Sequence, residues 1–185
     1  MSSIVLIGGS PSPTSRSSVV LDQVATQIKL AGFEVERIEV RDIDPAALLF
    51  ADFGHPDVLA AGEKIERASA VVLATPVYKA SYSGVLKSLL DLLARDAFHN
   101  KPILPIATGG TIAHLLSIDY ALRPVLYALC AEKVLAGRFI LDKDVSTIAP
   151  NVGIEDAEAW DALEAQIATL CDEVTHLNQR ELAAV

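Results

Sequence analysis

Cysteine is scarce in this chain. Cys130 and Cys171 stand far apart, in no CxxC pair and with no histidine at zinc-ligand spacing. That excludes a disulfide-stapled scaffold and a zinc knuckle, and it reads as two buried thiols in helices of a reduced compartment. Basic residues are outnumbered, 15 Lys plus Arg against 24 Asp plus Glu, for a net charge of −9. A chain this acidic does not attract nucleic acid in bulk, and the charge serves solubility. No apolar run reaches the roughly 20 residues of a membrane span. The N-terminus shows no charged segment ahead of a cleavable apolar stretch, so a cytoplasmic protein is expected. Several motifs are missing too. Gly8-Gly9-Ser10-Pro11-Ser12-Pro13 lacks the GxGxxG spacing, and GxxxxGK[ST] and HExxH do not occur. Ala80-Ser81-Tyr82-Ser83-Gly84 lacks the first glycine of a GxSxG elbow. A tightly held dinucleotide, a P-loop nucleotide, zinc peptidase chemistry and serine hydrolase chemistry lose their usual signatures.

Aliphatic sequence is abundant, with 51% of residues apolar and a mean hydropathy of +0.38. Much of it lies in short runs, as strands buried on both faces require, and it leaves room for an apolar oligomer interface. Ile4 to Ile7, Phe33 to Val40, Ala70 to Ala74, Pro102 to Ala107 and Lys133 to Leu141 read as strands. Ser17 to Ala31 (stopped by Gly32), Asp57 to Ala68, Gly84 to Leu93, Ala113 to Ala131 and Glu155 to Asn178 read as helices. Pro45 to Phe53 stays between loop and short helix, and Asp142 to Gly153 is a polar loop. Five strands with helices between them predict an α/β fold with a doubly wound parallel sheet. No linker, repeat or low-complexity segment interrupts it, so residues 1–185 read as a single domain.

Ligands of such a sheet bind outside the carboxyl ends of its strands. Three loops leave those ends with unusual residues. Gly9 to Ser18 combines Ser10, Ser12, Ser15, Ser17 and Arg16 at a helix start. Free amides, hydroxyls and a fixed charge there suit a phosphate monoester, beyond what a helix cap requires. Thr75 to Ser83 is long for a strand-to-helix connection. Its Tyr78 and Tyr82 either wall a flat ligand or pack on the sheet edge. Thr108-Gly109-Gly110-Thr111 offers two glycines, for a positive φ or for close backbone approach. A phosphate at the first loop and a flat polar heterocycle between the other two describe FMN. His114, one turn further on, reads as a helix-surface residue.

The segment from Ile112 to Ala131 carries Pro124. Proline gives no N–H to the carbonyl four residues back, here that of Tyr120. The fault relaxes either as a plain kink or as a π-bulge, and π-bulges gather at functional sites.

These residues resemble the NAD(P)H-dependent FMN reductases, and most of all the reductase of the alkanesulfonate monooxygenase system. The resemblance is carried by Gly9-Ser10-Pro11, Ser15-Arg16-Ser17-Ser18, Ala74-Thr75-Pro76-Val77-Tyr78-Lys79-Ala80 and Tyr82-Ser83-Gly84. Ala107-Thr108-Gly109-Gly110-Thr111, Ala113-His114-Leu115-Leu116 and Asp119 to Leu126 complete it. It implies a flavodoxin-like three-layer sandwich, strand order 2-1-3-4-5. It implies that Ser10, Ser12, Ser15, Arg16 and Ser17 hold the FMN phosphate, with relatives often carrying arginine where Ser12 stands. Pro76, Val77, Tyr78 and Lys79 then line the isoalloxazine, and Thr108, Gly109, Gly110 and Thr111 border its other edge. No catalytic acid or base and no metal is implied. The resemblance further implies a homotetramer with Tyr120 in a π-helix at its interface, NADPH or NADH as reductant, and a monooxygenase that takes the reduced flavin. An FMN-retaining reductase of quinones, azo dyes or metal oxyanions uses the same loops, whereas an electron-carrying flavodoxin normally has a phosphate loop rich in Ser, Thr and Gly without the equivalent of Arg16.

Overall fold

The structure is a computed structural model that describes residues 2–183. The chain builds β1 (Ser3–Gly8), α1 (Arg16–Leu30), β2 (Glu34–Glu39), α2 (Pro45–Leu49), α3 (Pro56–Arg67) and β3 (Ala70–Tyr78). It continues with β4 (Ser81–Tyr82), α4 (Gly84–Leu90), β5 (Pro102–Gly109), α5 (Arg123–Ala128), β6 (Lys133–Val134) and β7 (Arg138–Leu141). β8 (Val145–Ser146), β9 (Gly153–Ile154) and α6 (Ala157–Ala183) close it.

The sheet runs β2-β1-β3-β5, with β6 and β7 both on the outer side of β5 and β4 folded back on β3. Every ladder except β3–β4 is parallel in this sheet. Helices cover both faces. Ile4, Leu6, Val72 and Leu104 pack with Val20, Leu21 and Val24 of α1 and Leu163, Ile167 and Leu170 of α6. Val5, Ile7, Val71 and Leu73 pack with Val58, Ile65, Leu86, Leu89, Leu122 and Leu126 on the other side. The strands are therefore apolar on both faces, and each such fully buried side chain contributes about 1.5–3 kcal/mol.

The order 2-1-3-4-5 holds along the main path, but the fifth strand is broken. Ile103 pairs with Val134 and Ile106 with Arg138, so three residues on the outer chain face two of β5. Pro105 lies in that gap and has no N–H for the ladder, as a bulge tolerates. Gly137 fills it, because a Cβ there would approach the Pro105 carbonyl at 3.0 Å.

Two helix expectations are corrected and an open one is settled. The stretch from Ala113 to Ala131 is no continuous helix. It is a 3-10 turn at Ile112–His114, a π-helical turn at Ile118–Leu122, and then α5. Cys130 sits half-buried in the turn after α5 at φ +61, while Cys171 is buried in α6. Residues 45–49 settle as α2 because Asp44 caps it, accepting from the Ala47 amide, and Pro45 takes the first turn. The polar loop after β7 carries the short β8–β9 ladder. Among the described residues no helix is long and apolar enough to cross a membrane.

Candidate flavin site at the carboxyl rim

The three loops sit side by side because their strands do. Gly8 is in register with Ala74, and Pro76 with Thr108. The Gly9 amide donates to the Ala74 carbonyl at 2.8 Å. Ser83 then ties the first loop to the second: its hydroxyl donates to the Gly9 carbonyl and accepts from the Leu86 amide at the start of α4. Its own amide donates to Thr75 Oγ1 at 3.0 Å. Gly9 is a glycine for packing, since a Cβ would lie 2.8 Å from that of Leu86.

The first loop is a hydroxyl cluster on the α1 N-terminus. Ser15 is the N-cap, accepting from the Ser18 amide at 3.1 Å. Its Oγ lies 3.1 Å from Ser17 Oγ and 2.9 Å from Ser18 Oγ. Ser10 is fully buried and accepts from the Ser12 amide at 3.2 Å. Ser17 is buried as well. The cap leaves the amides of Arg16 and Ser17 with no intrahelical acceptor. Hydroxyls, free amides and the positive end of a 15-residue helix fit a phosphate. Ser12 is half-buried and Arg16 is exposed.

The second loop is no irregular loop. β3 continues to Tyr78 and turns back through Lys79 and Ala80 into β4. Both turn residues have positive φ, +49 and +64, which a two-residue hairpin demands and which Lys and Ala adopt at a cost. Pro76 and Val77 are half-buried, Tyr78 is half-exposed and Lys79 is exposed at the tip. The two tyrosines divide. Tyr82 packs on the core, and burial raises its phenol above the usual value against a lowering by Lys87. Packing accounts for Tyr82, while Tyr78 remains available at the rim.

The third loop is the end of β5. Thr108 and Gly109 are buried strand residues, Gly110 is an exposed bend, and Thr111 accepts from the Ala113 amide as a cap. Neither glycine has a positive φ. Gly109 is required because a Cβ would meet the Phe139 ring at 2.8 Å; at Gly110 the nearest atom is an Asp142 carboxylate oxygen, 3.7 Å off. Backbone approach is therefore open at Gly110 and closed at Gly109. The π turn bearing Tyr120 lies beside β4. There the Arg123 amide donates to the Ile118 carbonyl, five residues back. Tyr120 is 79% exposed, and Ile112, Leu115, Leu116 and Tyr127 are exposed around it.

Sequence reading missed Arg41. It follows β2 and reaches the first loop, with Nη1 3.4 Å from the Ser12 carbonyl and 3.3 Å from Ser18 Oγ. The signal was available: the order 2-1-3 puts residues after β2 beside those after β1. A groove of about 460 Å3 lies elsewhere, between α3 and residues 92–101. Apolar grooves are frequent ligand sites, but this one's basic groups are committed. Lys101 donates to the Glu66 and Ala68 carbonyls, and burial lowers its pKa. His99 pairs with Glu132 at 2.9 Å. The rim has the uncommitted donors, and we place the candidate site there.

Comparison with known proteins identifies the family. A family model described as NADPH-dependent FMN reductase matches residues 2–146. An FMN reductase (NADPH) of Pseudomonas putida is 46% identical over 164 residues, covering 89% of this chain and 82% of that one. Another FMN reductase (NADPH), from Escherichia coli K12, is 44% identical over 142 residues, 77% of this chain and 74% of that one. The solved apo structure of an NADH:FMN oxidoreductase superposes with a TM-score of 0.81 at 34% identity, covering 92% of this chain and 89% of that chain. The chain therefore belongs to the NADPH-dependent FMN reductase family.

Proposed function

We propose that the carboxyl rim of β1, β3 and β5 seats FMN for reduction by a nicotinamide. The chain is an oxidoreductase of its family and works with FMN and NADPH or NADH. In this reading Ser10, Ser12, Ser15, Arg16 and Ser17 hold the phosphate. Pro76, Val77, Tyr78 and Lys79 flank one side of the ring system, and Thr108, Gly109, Gly110 and Thr111 the other. The observation that carries it is the Ser83 tie between Gly9 and α4, with the Pro76–Thr108 register, which locks three corners into one wall. When bound, the flavin supplies the hydride-accepting chemistry. The protein aligns the two rings and anchors the phosphate. No side chain is needed as acid or base, and we assign none. The whole chain serves as one flavin-binding unit.

We further propose that the flavin leaves after reduction and feeds a flavin-dependent monooxygenase of the alkanesulfonate type. The exposed apolar side chains from Ile112 to Tyr127 support a homotetramer with the π turn at an interface, since exposed apolar surface marks association where it is extensive. A steady-state assay with each nicotinamide, with and without FMN, tests the function. Colourless protein that oxidises NADPH or NADH only when FMN is added is the expected result. Yellow protein with ping-pong kinetics toward a quinone establishes a retained flavin instead. No nicotinamide oxidation with FMN present overturns the reading.

A further inference from the structure

We propose that Arg41 is a phosphate-binding residue, a second cation delivered to the first loop from the end of β2. The inference rests on the reading of that loop as the FMN phosphate seat. The loop's own arginine, Arg16, is exposed and has no side-chain partner among the described residues. Arg41 differs in each respect. Its side chain is 21% exposed. Its Nη1 donates to the Ser12 carbonyl and to Ser18 Oγ, so the guanidinium rests on the hydroxyl cluster itself.

Glu39 holds it there. One Glu39 oxygen takes Arg37 at 2.7 Å, and the other lies 2.8 Å from Arg41 Nη1. That second oxygen is buried and has no hydrogen-bond partner. Charge pins Arg41 while its N–H groups serve the loop. The position is built for this carboxylate, because a Cβ at Gly8 would collide with it. Asp42 competes weakly: it is 3.9 Å from Nε and 73% exposed. Among the described residues Nη2 has no acceptor, which leaves donors for an incoming oxyanion. A guanidinium fixed in advance binds a phosphate monoester by charge-assisted hydrogen bonds without first losing side-chain freedom. A mobile surface arginine pays that entropy on binding.

The test is a titration of the full chain with FMN and with riboflavin, which lacks only the phosphate, followed by flavin fluorescence. Nicotinamide is left out, because the 2′-phosphate of NADPH is also a monoester. Arg41→Gln keeps a polar side chain and loses the charge. Its Kd for FMN is expected to rise about tenfold with that for riboflavin unchanged, the scale of one charged hydrogen bond. The riboflavin value reports an intact fold. Arg41→Lys, which keeps the charge, retains most of the preference for FMN. Ser12→Arg in the Arg41→Gln background restores it, because that side chain starts from the residue whose carbonyl the Arg41 guanidinium touches. Unchanged FMN affinity in Arg41→Gln overturns the inference, as does an equal loss for both flavins. Loss of NADPH affinity alone, in a separate titration, overturns it too. If the unaltered protein binds riboflavin as tightly as FMN, the phosphate seat itself falls, and that outcome is distinct from a failure of Arg41 alone.

Discussion

The two ends of the rim are built differently. At the β1 end, Ser10, Ser17 and Ser18 are buried, their hydroxyls are satisfied within the loop, and Ser83 and Arg41 brace it. At the β5 end, the segment from Ile112 to Tyr127 turns three ways in sixteen residues and exposes Ile112, Leu115, Leu116, Tyr120 and Tyr127. One end is finished by a single chain and, in the proposed function, holds a rigid polar guest. The other exposes apolar side chains, which in the same proposal a second copy covers. Site geometry should therefore fail by buried substitutions at the first end and by lost association at the second.

Ser83→Ala breaks the comparison most severely. It strips the α4 cap and leaves the buried Gly9 carbonyl unpaired, a loss of about 2–3 kcal/mol. Thermal unfolding should shift down by roughly 5 to 10 °C, and a Tm within 1 °C of the parent's (about 0.3 kcal/mol) removes the tie from the account. Next is Gly109→Ala, which drives a methyl into Phe139 and costs about 1–3 kcal/mol. Phe139→Leu in the same chain should recover part of it, and no recovery denies that contact as the cause. Arg16→Ala is expected to raise the Michaelis constant for FMN about threefold or more and to spare riboflavin, a modest effect because the residue is exposed. Equal kinetics with both flavins would take Arg16 out of the seat. Tyr120→Ala should change single-chain stability least, within about 0.5 kcal/mol. It should instead shift sedimentation velocity toward smaller species. An unaltered assembly with normal flavin exchange counts against the π turn as an interface.

The sheet was legible where strands are continuous apolar runs, as in Ala70–Ala74 and Pro102–Ala107, because burial on both faces leaves no ambiguity of period. The hairpin at Lys79 and Ala80 was not, since neither residue carries the Gly or Asn signal that such a turn usually shows. Pro124 foretold a fault, and the π turn appeared just ahead of it. Thr111 as a second cap, which starts a separate 3-10 turn, gave no clear sign of splitting the helix. The break in the fifth strand was written in Pro105 and Gly137, but only pairing puts them opposite one another. The loops were readable as site candidates one by one. Their cross-ties, and Arg41 above all, depend on which strands are neighbours.

The most direct measurement is a crystal structure of the protein with FMN. The account predicts the phosphate on the α1 N-terminus among Ser10, Ser15 and Ser17, with the ring between the Pro76–Lys79 arm and the Thr108–Thr111 bend. A flavin seated in the groove beside α3, or a rim that stays empty at saturating FMN, would contradict it.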